Sequence, residues 1–373
     1  MAEVAVIGAG HAGVEAAFAL AKKGVHVTLY SNEAVLPYFR PRLIAVAFGQ
    51  SAPEAIAMKP LAAYEQAGIT LMRAAAAQLD GAKRSVNGNV YDGIILAQGS
   101  QPFVPAFSGS GAGGIKTLWT MADALALRER VTAGETLAII GGGVLGLEAA
   151  LRAKMAGMHV TVIEGSPVLL GGVLGKCGEA VLKSTLEMKG VSVITGCQVA
   201  SIEPDQVLLA DGRVINAGLV LCATGARPEV TLAETAGLRI AGGVQTKDDL
   251  SAMPGVYVAG DQARPGQARP DCAVMRAMKM GALAAENLWK SFMGAQGVAW
   301  KELSLPLFMK VEDVEFHTQG DVVSEDVTEE RLDDGNDAHV WKSVLRREGQ
   351  VVGLRWVGTR SGFAEWSKQL PLA

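Results

Sequence analysis

The chain has 373 residues, of which 49% are hydrophobic and 19% are charged, and its formal net charge is −4. This length predicts two or three domains, and the composition supplies enough apolar side chains for buried parallel sheets. The acidic balance gives no reason to expect nucleic-acid binding, and no apolar run is long enough to span a bilayer. The first predicted strand begins almost at the N-terminus, which leaves no room for a signal peptide. We therefore expect a cytoplasmic protein without membrane insertion.

Cysteines and histidines are few and scattered. The four cysteines, at positions 177, 197, 222 and 272, form no C-x-x-C pair, iron–sulfur motif or zinc ribbon. The five histidines form no metal-binding cluster such as H-E-x-x-H. We expect no metal, so any redox chemistry requires a bound organic cofactor.

A glycine-rich turn follows the first predicted strand. The stretch from Val4 has the sequence V-A-V-I-G-A-G-H-A-G, and an Ala-rich helix is predicted from Val14 to Lys23. In a G-x-G-x-x-G turn the first glycine permits the tight bend, the second lets the backbone approach a pyrophosphate, and the third lets the helix pack on the sheet. The motif predicts a dinucleotide at the helix N-terminus. The candidate contacts are Gly8, Ala9, Gly10, His11, Ala12 and Gly13.

The same pattern recurs 133 positions later, where Leu137 to Ile140 precedes the run G-G-G-V-L-G. A single glycine motif often occurs by chance, but two copies with the same flanking strand and helix rarely do. The repeat therefore predicts an oxidoreductase that binds two nucleotides. The candidate contacts of the second copy are Gly141, Gly143, Val144, Leu145, Gly146 and Glu148.

A carboxylate follows the second predicted strand of each copy. Such a group binds the hydroxyls of the adenosine ribose. In the first copy the strand His26 to Tyr30 is followed by Glu33, and in the second Glu164 comes directly after Ile163. Glu164 would repel the 2′-phosphate of NADP, and residues 165–175 contain no arginine to bind it, so NADH is favoured over NADPH.

The segment L-P-Y-F-R-P-R-L, residues 36–43, places Arg40 and Arg42 near the expected pyrophosphate. With G-A-G-H-A-G and a carboxylate between, the motif P-Y-x-R-P-x-L resembles the FAD-dependent reductases of rubredoxin and ferredoxin and the flavin modules of nitrite reductases, within the pyridine nucleotide-disulfide oxidoreductase superfamily. The resemblance covers essentially the whole chain. It implies an α/β fold with two Rossmann-like domains, as in glutathione reductase, and a small α+β C-terminal domain.

The resemblance also implies domain boundaries. Residues 1–108 and 226–295 would form a discontinuous FAD-binding domain, residues 109–225 the NAD(H)-binding domain, and residues 296–373 the C-terminal domain. The tail would include strands Val340 to Arg346 and Val351 to Val357 around a Glu348-Gly349 turn.

Several further contacts are implied by the resemblance. The run G-V-Y-V-A-G-D is similar to the second flavin motif of the family, whose aspartate binds the ribityl chain. A helix from about Cys272 to Trp289 would direct its N-terminus at the flavin, and Gly-x-x-P turns would pass near each cofactor. The residues so implied are Ala97, Gly99, Gly260, Asp261 and Ala273 for FAD and Gly225 for NAD.

Two departures from the family concern catalysis. Residues 34–70 contain no cysteine, which excludes the thiol chemistry of disulfide reductases at that place. Many relatives have a lysine after the P-Y-x-R-P motif that pairs with the glutamate matching Glu148, but here Ile44, Ala45 and Val46 occupy the region. We expect Glu148 to lack this partner, and whether Arg40 or Arg42 replaces it stays open. The flavin N5 would be the reactive centre, with Glu148 and Arg40 as candidate supporting side chains.

The function implied is an NADH-dependent flavoprotein reductase that passes electrons to a small electron-transfer protein, with rubredoxin as the first candidate. A hydride would pass from the nicotinamide to the flavin, so no nucleophilic side chain is required. Alternatives among enzymes are an NADH oxidase and a nitrite reductase flavin module. A flavin-binding redox sensor, similar to apoptosis-inducing factor, is the alternative from another class.

Overall fold

A computed structural model describes residues 1–108, 114–266, 272–333 and 335–371. The chain divides into two compact units. Unit 1 comprises Met1–Leu43, Ala52–Gln101 and Ala226–Glu302, and unit 2 comprises Ile44–Ser51, Pro102–Gly225 and Leu303–Ala373. The three-domain division, with a separate C-terminal domain, stays a prediction.

The helices and strands alternate along most of the chain. Up to residue 102 they are β1 (Glu3–Ile7), α1 (His11–Ala21), β2 (His26–Tyr30), α2 (Leu43–Ala47), α3 (Leu61–Gln66), β3 (Ile69–Met72), β4 (Leu79–Asp80), β5 (Ser85–Val86), β6 (Asn89–Val90), β7 (Gly93–Leu96) and β8 (Ser100–Pro102). From residue 115 to 235 they are β9 (Ile115–Lys116), α4 (Met121–Arg128), β10 (Thr136–Ile140), α5 (Val144–Met155), β11 (His159–Glu164), α6 (Gly175–Met188), β12 (Val191–Thr195), β13 (Val199–Glu203), β14 (Gln206–Leu209), β15 (Val214–Asn216), β16 (Leu219–Cys222), β17 (Ala226–Pro228) and α7 (Thr231–Thr235). The remainder are β18 (Val244–Thr246), β19 (Ser251–Met253), β20 (Val256–Val258), β21 (Ala263–Pro265), α8 (Val274–Phe292), β22 (Leu307–Val311), β23 (Val314–Gly320), β24 (Thr328–Arg331), β25 (Trp341–Arg347), β26 (Gln350–Val357) and α9 (Phe363–Ser367).

The main sheet of unit 1 has the order β19-β20-β7-β1-β2-β3. Its strands β1, β2 and β7 are parallel and mostly apolar, because both faces of the sheet are buried. At the carboxyl end of β1, Ile7 is paired with Tyr30 on one side and with Leu96 on the other. The chain therefore leaves β1 where the strand order reverses, the position at which open α/β sheets bind ligands.

Unit 2 contains a second parallel sheet, of order β12-β11-β10-β16-β9. Its central strand β10 ends at Ile140, which is paired with Ile163 on one side and Cys222 on the other. The topology around the second glycine turn thus repeats that around the first. The predicted α/β class with two Rossmann-like sheets is confirmed.

Unit 2 also contains an antiparallel sheet, of order β22-β23-β26-β25-β24. Trp356 and Phe316 are both fully buried, on opposite faces of the sheet, because Phe316 is paired with Val357 and Trp356 with His317. The guanidinium of Arg355 connects this sheet to the segment before α6 by donating to the Val173 carbonyl oxygen. It also donates to the Val322 carbonyl oxygen and pairs with Glu329 of β24. The predicted hairpin of β25 and β26 is present, with Glu348 and Gly349 both at positive φ.

Two predicted helices have different bounds in the structure. Helix α1 begins at His11 instead of Val14, because the glycine turn itself supplies its first turn. The helix predicted from Cys272 begins at Val274 and continues to Phe292. No helix among the described residues is long and apolar enough to cross a membrane.

Candidate functional site

The first glycine turn of unit 1 is shaped by close backbone contacts. Gly8 has φ of 105°, and a Cβ there would overlap the carbonyl oxygen of Ala97. A Cβ on Gly13 would overlap the carbonyl oxygen of Gly8. Gly10, by contrast, faces open space, since no described heavy atom lies within 4 Å of the Cβ position. The first and third glycines therefore permit the packing, and the second leaves room at the helix N-terminus.

The N-terminus of α1 has the properties of an anion site. Among the described residues no side chain caps its free N–H groups, and its first turn contains no acidic residue. Uncapped N–H groups and the positive end of the helix dipole attract a phosphate. The turn therefore fits the pyrophosphate of a dinucleotide.

Asp261 is held beside this turn. It lies just beyond β20, and the preceding Gly260 approaches Ala12, with 3.1 Å between its Cβ position and the Ala12 Cβ. Ser100 Oγ donates a 2.6 Å hydrogen bond to Asp261 Oδ2. Burial raises the pKa of the Asp261 carboxyl, and hydrogen bonds from Ser100 and Cys272 oppose that rise. The structure thus brings Gly99, Ser100 and Asp261 together.

Glu33 is fixed by the loop that follows it. The hydroxyl of Tyr38 donates to the Glu33 carboxylate, 2.8 Å from each oxygen, and the Arg40 guanidinium lies 3.8 Å from Oε1. The loop is held against the segment around Ile56, because the Phe39 N–H donates to the Ile56 carbonyl oxygen at 2.9 Å. The carboxylate is therefore oriented near the end of β2, where a ribose would be bound.

His11 is the first residue of α1, and its ring contacts Phe39 with 5.6 Å between centroids. Burial and then the charge of Arg40 lower the pKa of His11 to about 4, so the imidazole is neutral at neutral pH. Its buried Nε2 has no hydrogen-bond partner among the described residues. A buried nitrogen without a partner fits a site completed by a bound polar group.

The second glycine turn repeats the geometry of the first. Gly141 has φ of 113°, and a Cβ there would overlap the carbonyl oxygen of Ala223. A Cβ on Gly146 would overlap the carbonyl oxygen of Gly141, while Gly143 again faces open space. Within the described residues the N-terminus of α5 has no side-chain cap. The chain therefore contains two glycine turns with the same backbone contacts, each followed by an uncapped helix.

Glu164, at the end of β11, closes the second turn. Its Oε2 accepts a hydrogen bond from the Gly142 N–H and its Oε1 one from the Ser166 N–H, both at 2.7 Å. A Cβ on Gly142 would lie 3.1 Å from the Glu164 Cβ. The carboxylate is therefore in direct contact with the glycine turn, as an adenosine ribose ligand should be.

Glu148 lacks the family's lysine partner, as expected, but it has another basic partner. This partner is Arg152, four residues later on α5: its Nε donates to Glu148 Oε1 at 3.0 Å, and its Nη2 lies 3.0 Å from the same oxygen. Burial raises the pKa of Glu148, and Arg152 opposes that rise. A helical i,i+4 spacing puts two side chains on one face, so this pair was detectable in the sequence.

The remaining predicted residues are placed as follows. Ala12 and Ala97 are buried, Ala9 packs on the core, and Val144 and Leu145 open α5. Gly225, at φ of 100°, accepts a hydrogen bond from the Phe103 N–H. Arg42 is exposed above the Phe39 ring, and Ala273 precedes α8. That these side chains contact cofactors stays a prediction.

Sequence reasoning missed three supporting residues: Ser100, Tyr38 and Arg152. Tyr38 lies in the family motif, five residues from Glu33, and Arg152 lies one helical turn from Glu148. Both spacings were signals of contact. Ser100 lies 161 positions from Asp261, and only the folded sheet brings them together.

Comparison with known proteins identifies the family of the chain. Residues 2–281 match the family model described as pyridine nucleotide-disulphide oxidoreductase, which is most of the chain. The chain therefore belongs to this family and is an oxidoreductase.

Three relatives bear on the class within the family. The chain is 35% identical over 273 residues to the ferredoxin–NAD(+) reductase component of the biphenyl dioxygenase system of Paraburkholderia xenovorans, covering 70% of this chain and 67% of that one. It is 31% identical over 312 residues to a rubredoxin–NAD(+) reductase of Pseudomonas putida, covering 79% and 78%. Among solved structures, a covalent putidaredoxin reductase–putidaredoxin complex matches with a TM-score of 0.86 and 26% identity, covering 99% of this chain and 92% of that one.

Proposed function

We propose that the chain is an NADH-dependent FAD flavoprotein that passes electrons to a small electron-transfer protein, with rubredoxin as the first candidate. The observation that supports this most is the pair of glycine turns with one geometry. Each has an uncapped helix N-terminus and open space at its second glycine. A cytoplasmic location, where NADH is available, is part of the proposal.

In unit 1 the chain's own residues would hold FAD. The N–H groups at Gly10 and the nearby Arg40 would bind the pyrophosphate, Glu33 would accept hydrogen bonds from the adenosine ribose, and Asp261 would do so from the ribityl chain. FAD, when bound, supplies an acceptor for a hydride that can release the electrons singly. The protein's task is therefore binding and orientation.

In unit 2 the residues would hold NADH. The N–H groups near Gly143 would bind its pyrophosphate, and Glu164, already fixed by two backbone N–H groups, would accept the ribose hydroxyls. The like charge of a 2′-phosphate would disfavour NADPH at this carboxylate.

A ferredoxin is the second candidate acceptor, because a relative 35% identical to this chain is a ferredoxin–NAD(+) reductase component. The test is steady-state NADH oxidation with rubredoxin, ferredoxin, quinone and oxygen side by side. Faster turnover with rubredoxin or ferredoxin than with the other two supports the proposal. Turnover with oxygen alone would instead identify an oxidase.

A further inference from the structure

An arginine is buried in the first turn of α8, the helix that follows the Asp261 segment in unit 1. The Arg276 side chain is only 3% exposed, and an arginine is rarely buried so completely unless it is paired. Its partner is Glu302: Nη2 lies 3.1 Å from Oε1, and Nε lies 3.4 Å from Oε2. The guanidinium carbon also lies 5.7 Å from the centre of the Trp300 ring. A fixed cation is therefore enclosed within the unit that contains the proposed FAD site.

The two members of this ion pair differ in their contact with water. The Glu302 side chain is 47% exposed, so solvent screens its charge, whereas the guanidinium is enclosed by protein. Trp300 holds the carboxylate at this outer end by donating from Nε1 to Glu302 Oε1 at 2.9 Å. Glu302 therefore cancels only part of the positive charge that Arg276 presents toward the interior.

The first turn of α8 packs against the Asp261 segment. The Cβ position of Gly260 lies 3.8 Å from the Ala277 Cβ, and Asp261 and Arg276 are the residues next to this contact in the sequence. Burial raises the pKa of Asp261, and the charge of Arg276 is one of the effects that oppose this rise. Among the described residues no side chain caps the N-terminus of α8, and its first turn contains no acidic residue. The helix dipole and the guanidinium thus both place positive charge beside Asp261.

The order of the groups in FAD indicates which of them would meet this charge. In the proposed function Glu33 binds the adenosine ribose, the N-terminus of α1 binds the pyrophosphate, and Asp261 binds the ribityl chain. The isoalloxazine ring is attached to the far end of the ribityl chain, so it is the group expected beyond Asp261. A neutral ring that takes up a hydride carries one negative charge until it binds a proton.

We propose that Arg276 is a fixed positive charge that stabilises reduced FAD relative to oxidised FAD, and that Glu302 moderates its effect. The inference rests on the proposed FAD site. A charge near the ring changes the electronics of a flavin without touching the reacting atoms. Arg276 would therefore raise the midpoint potential of the bound flavin and favour its reduction by NADH.

The test is spectroscopic potentiometry of the FAD-loaded protein against a dye of known potential. Calorimetric titration of the FAD-free protein with oxidised FAD accompanies it. The variants are Arg276→Gln, Arg276→Lys and Glu302→Gln. Lys279→Gln is the matched control, because Lys279 is an exposed cation three residues later on the same helix.

We expect Arg276→Gln to weaken the binding of reduced FAD relative to oxidised FAD by about tenfold, the order expected for one partly screened charge. For a two-electron couple, this change lowers the midpoint potential by about 30 mV. Arg276→Lys should keep most of the potential, because it retains the charge. Glu302→Gln should raise the potential, because it removes the opposing charge, and it keeps the test available if Arg276→Gln does not fold. Lys279→Gln should leave the potential unchanged.

The opposite shifts of Arg276→Gln and Glu302→Gln separate an electrostatic role from a structural one. A pair that only holds the fold together would give shifts in the same direction, or none, and this result would overturn the inference. Equal weakening of oxidised and reduced FAD in Arg276→Gln, with an unchanged potential, would also overturn it, since the guanidinium would then serve only Asp261. An unmodified protein that binds no FAD would instead contradict the proposed function.

Discussion

Glu164 contacts the second glycine turn through two backbone N–H groups, and in the proposed function the same carboxylate binds the adenosine ribose. Replacing Glu164 by Ala should narrow the preference for NADH over NADPH by roughly 1 to 3 kcal/mol, because a charge-assisted hydrogen bond and a repulsive charge are both lost. The measurement is kcat/KM for each nucleotide. Glu187→Ala, an exposed position of the same unit, is the control and should change neither value. Equal kcat/KM values for the two nucleotides in the unmodified protein would contradict the assignment.

Asp261 should make the FAD-free protein less stable as the pH rises. Its pKa is higher in the folded than in the unfolded protein, so the stability it contributes is fully present below the unfolded value of about 4 and is lost as the pH rises through the folded pKa. Asp261→Asn should remove this decline and weaken FAD binding. Thermal unfolding of the FAD-free protein against pH, with FAD titrations, measures both.

Asp248→Asn is the control for this measurement, because Asp248 is an exposed carboxylate of the same unit. It should keep the pH dependence of the unmodified protein. A decline in stability that is as steep in Asp261→Asn as in Asp248→Asn would show that burial of Asp261 is not the cause.

Sequence spacing identified some of these residues and could not identify others. Glu164 follows a buried strand directly, the position at which this type of sheet carries its ribose-binding carboxylate. Glu148 was recognised, but its partner was sought in the family's lysine position and not one turn along the helix. Ser100 was missed because nothing in its neighbourhood points to a carboxylate 161 positions away.

The two glycine turns allow the same pair of alanine substitutions to be compared at each site, one at the second glycine and one at the third. Gly10→Ala should leave the fold intact, since the residue has φ of −78° and faces open space, but it should weaken FAD binding by placing a methyl group at the pyrophosphate. Gly13→Ala should destabilise the fold by roughly 1 to 3 kcal/mol, because its Cβ would overlap the Gly8 carbonyl oxygen. Thermal unfolding and FAD titration distinguish the two effects.

The second turn is the internal control for the first. Gly143→Ala should weaken NADH binding and keep FAD, and Gly146→Ala should destabilise the fold as Gly13→Ala does. Loss of FAD in Gly143→Ala with normal NADH binding would mean that FAD binds at the second glycine turn and NADH at the first, the reverse of our assignment.

Elements with buried apolar patterns were predicted well, and exposed ones were not. The strands and helices on either side of each glycine turn were located within a few residues, because their apolar runs are long and end in glycine. Strand β24 was not expected within the acidic stretch 324–337, since all four of its residues are exposed and polar. It forms at the sheet edge by pairing with β25, and such pairing leaves no mark on hydrophobic periodicity.

Rubredoxins are generally acidic, so a local basic patch must offset the net charge of −4 for one of them to dock. We expect Arg40, Arg42, Arg264 and Arg269 to form this patch, and of these Arg269 lies outside the described residues. Reduction of rubredoxin should therefore slow as ionic strength rises, while reduction of a small neutral acceptor should change little. Initial rates across a salt series measure this.

Cys272 allows a separate test of whether electrons pass from the flavin directly to the partner protein. Its sulfur lies 3.6 Å from Ser100 Oγ, beside the Asp261 site. If electrons pass from the flavin directly to the partner, Cys272→Ser should keep both rates nearly unchanged. Loss of turnover in Cys272→Ser, with flavin still bound and still reduced by NADH, would point to a thiol relay instead.

The most direct test of the account is an anaerobic stopped-flow experiment on the FAD-loaded protein. We expect NADH to bleach the flavin absorbance, and NADPH to do so more slowly because of Glu164. Rubredoxin or ferredoxin added afterwards should restore the absorbance at a rate fast enough to support turnover. A flavin that NADH leaves oxidised, or one that is reduced but gives no electrons to either protein, would contradict the proposed function.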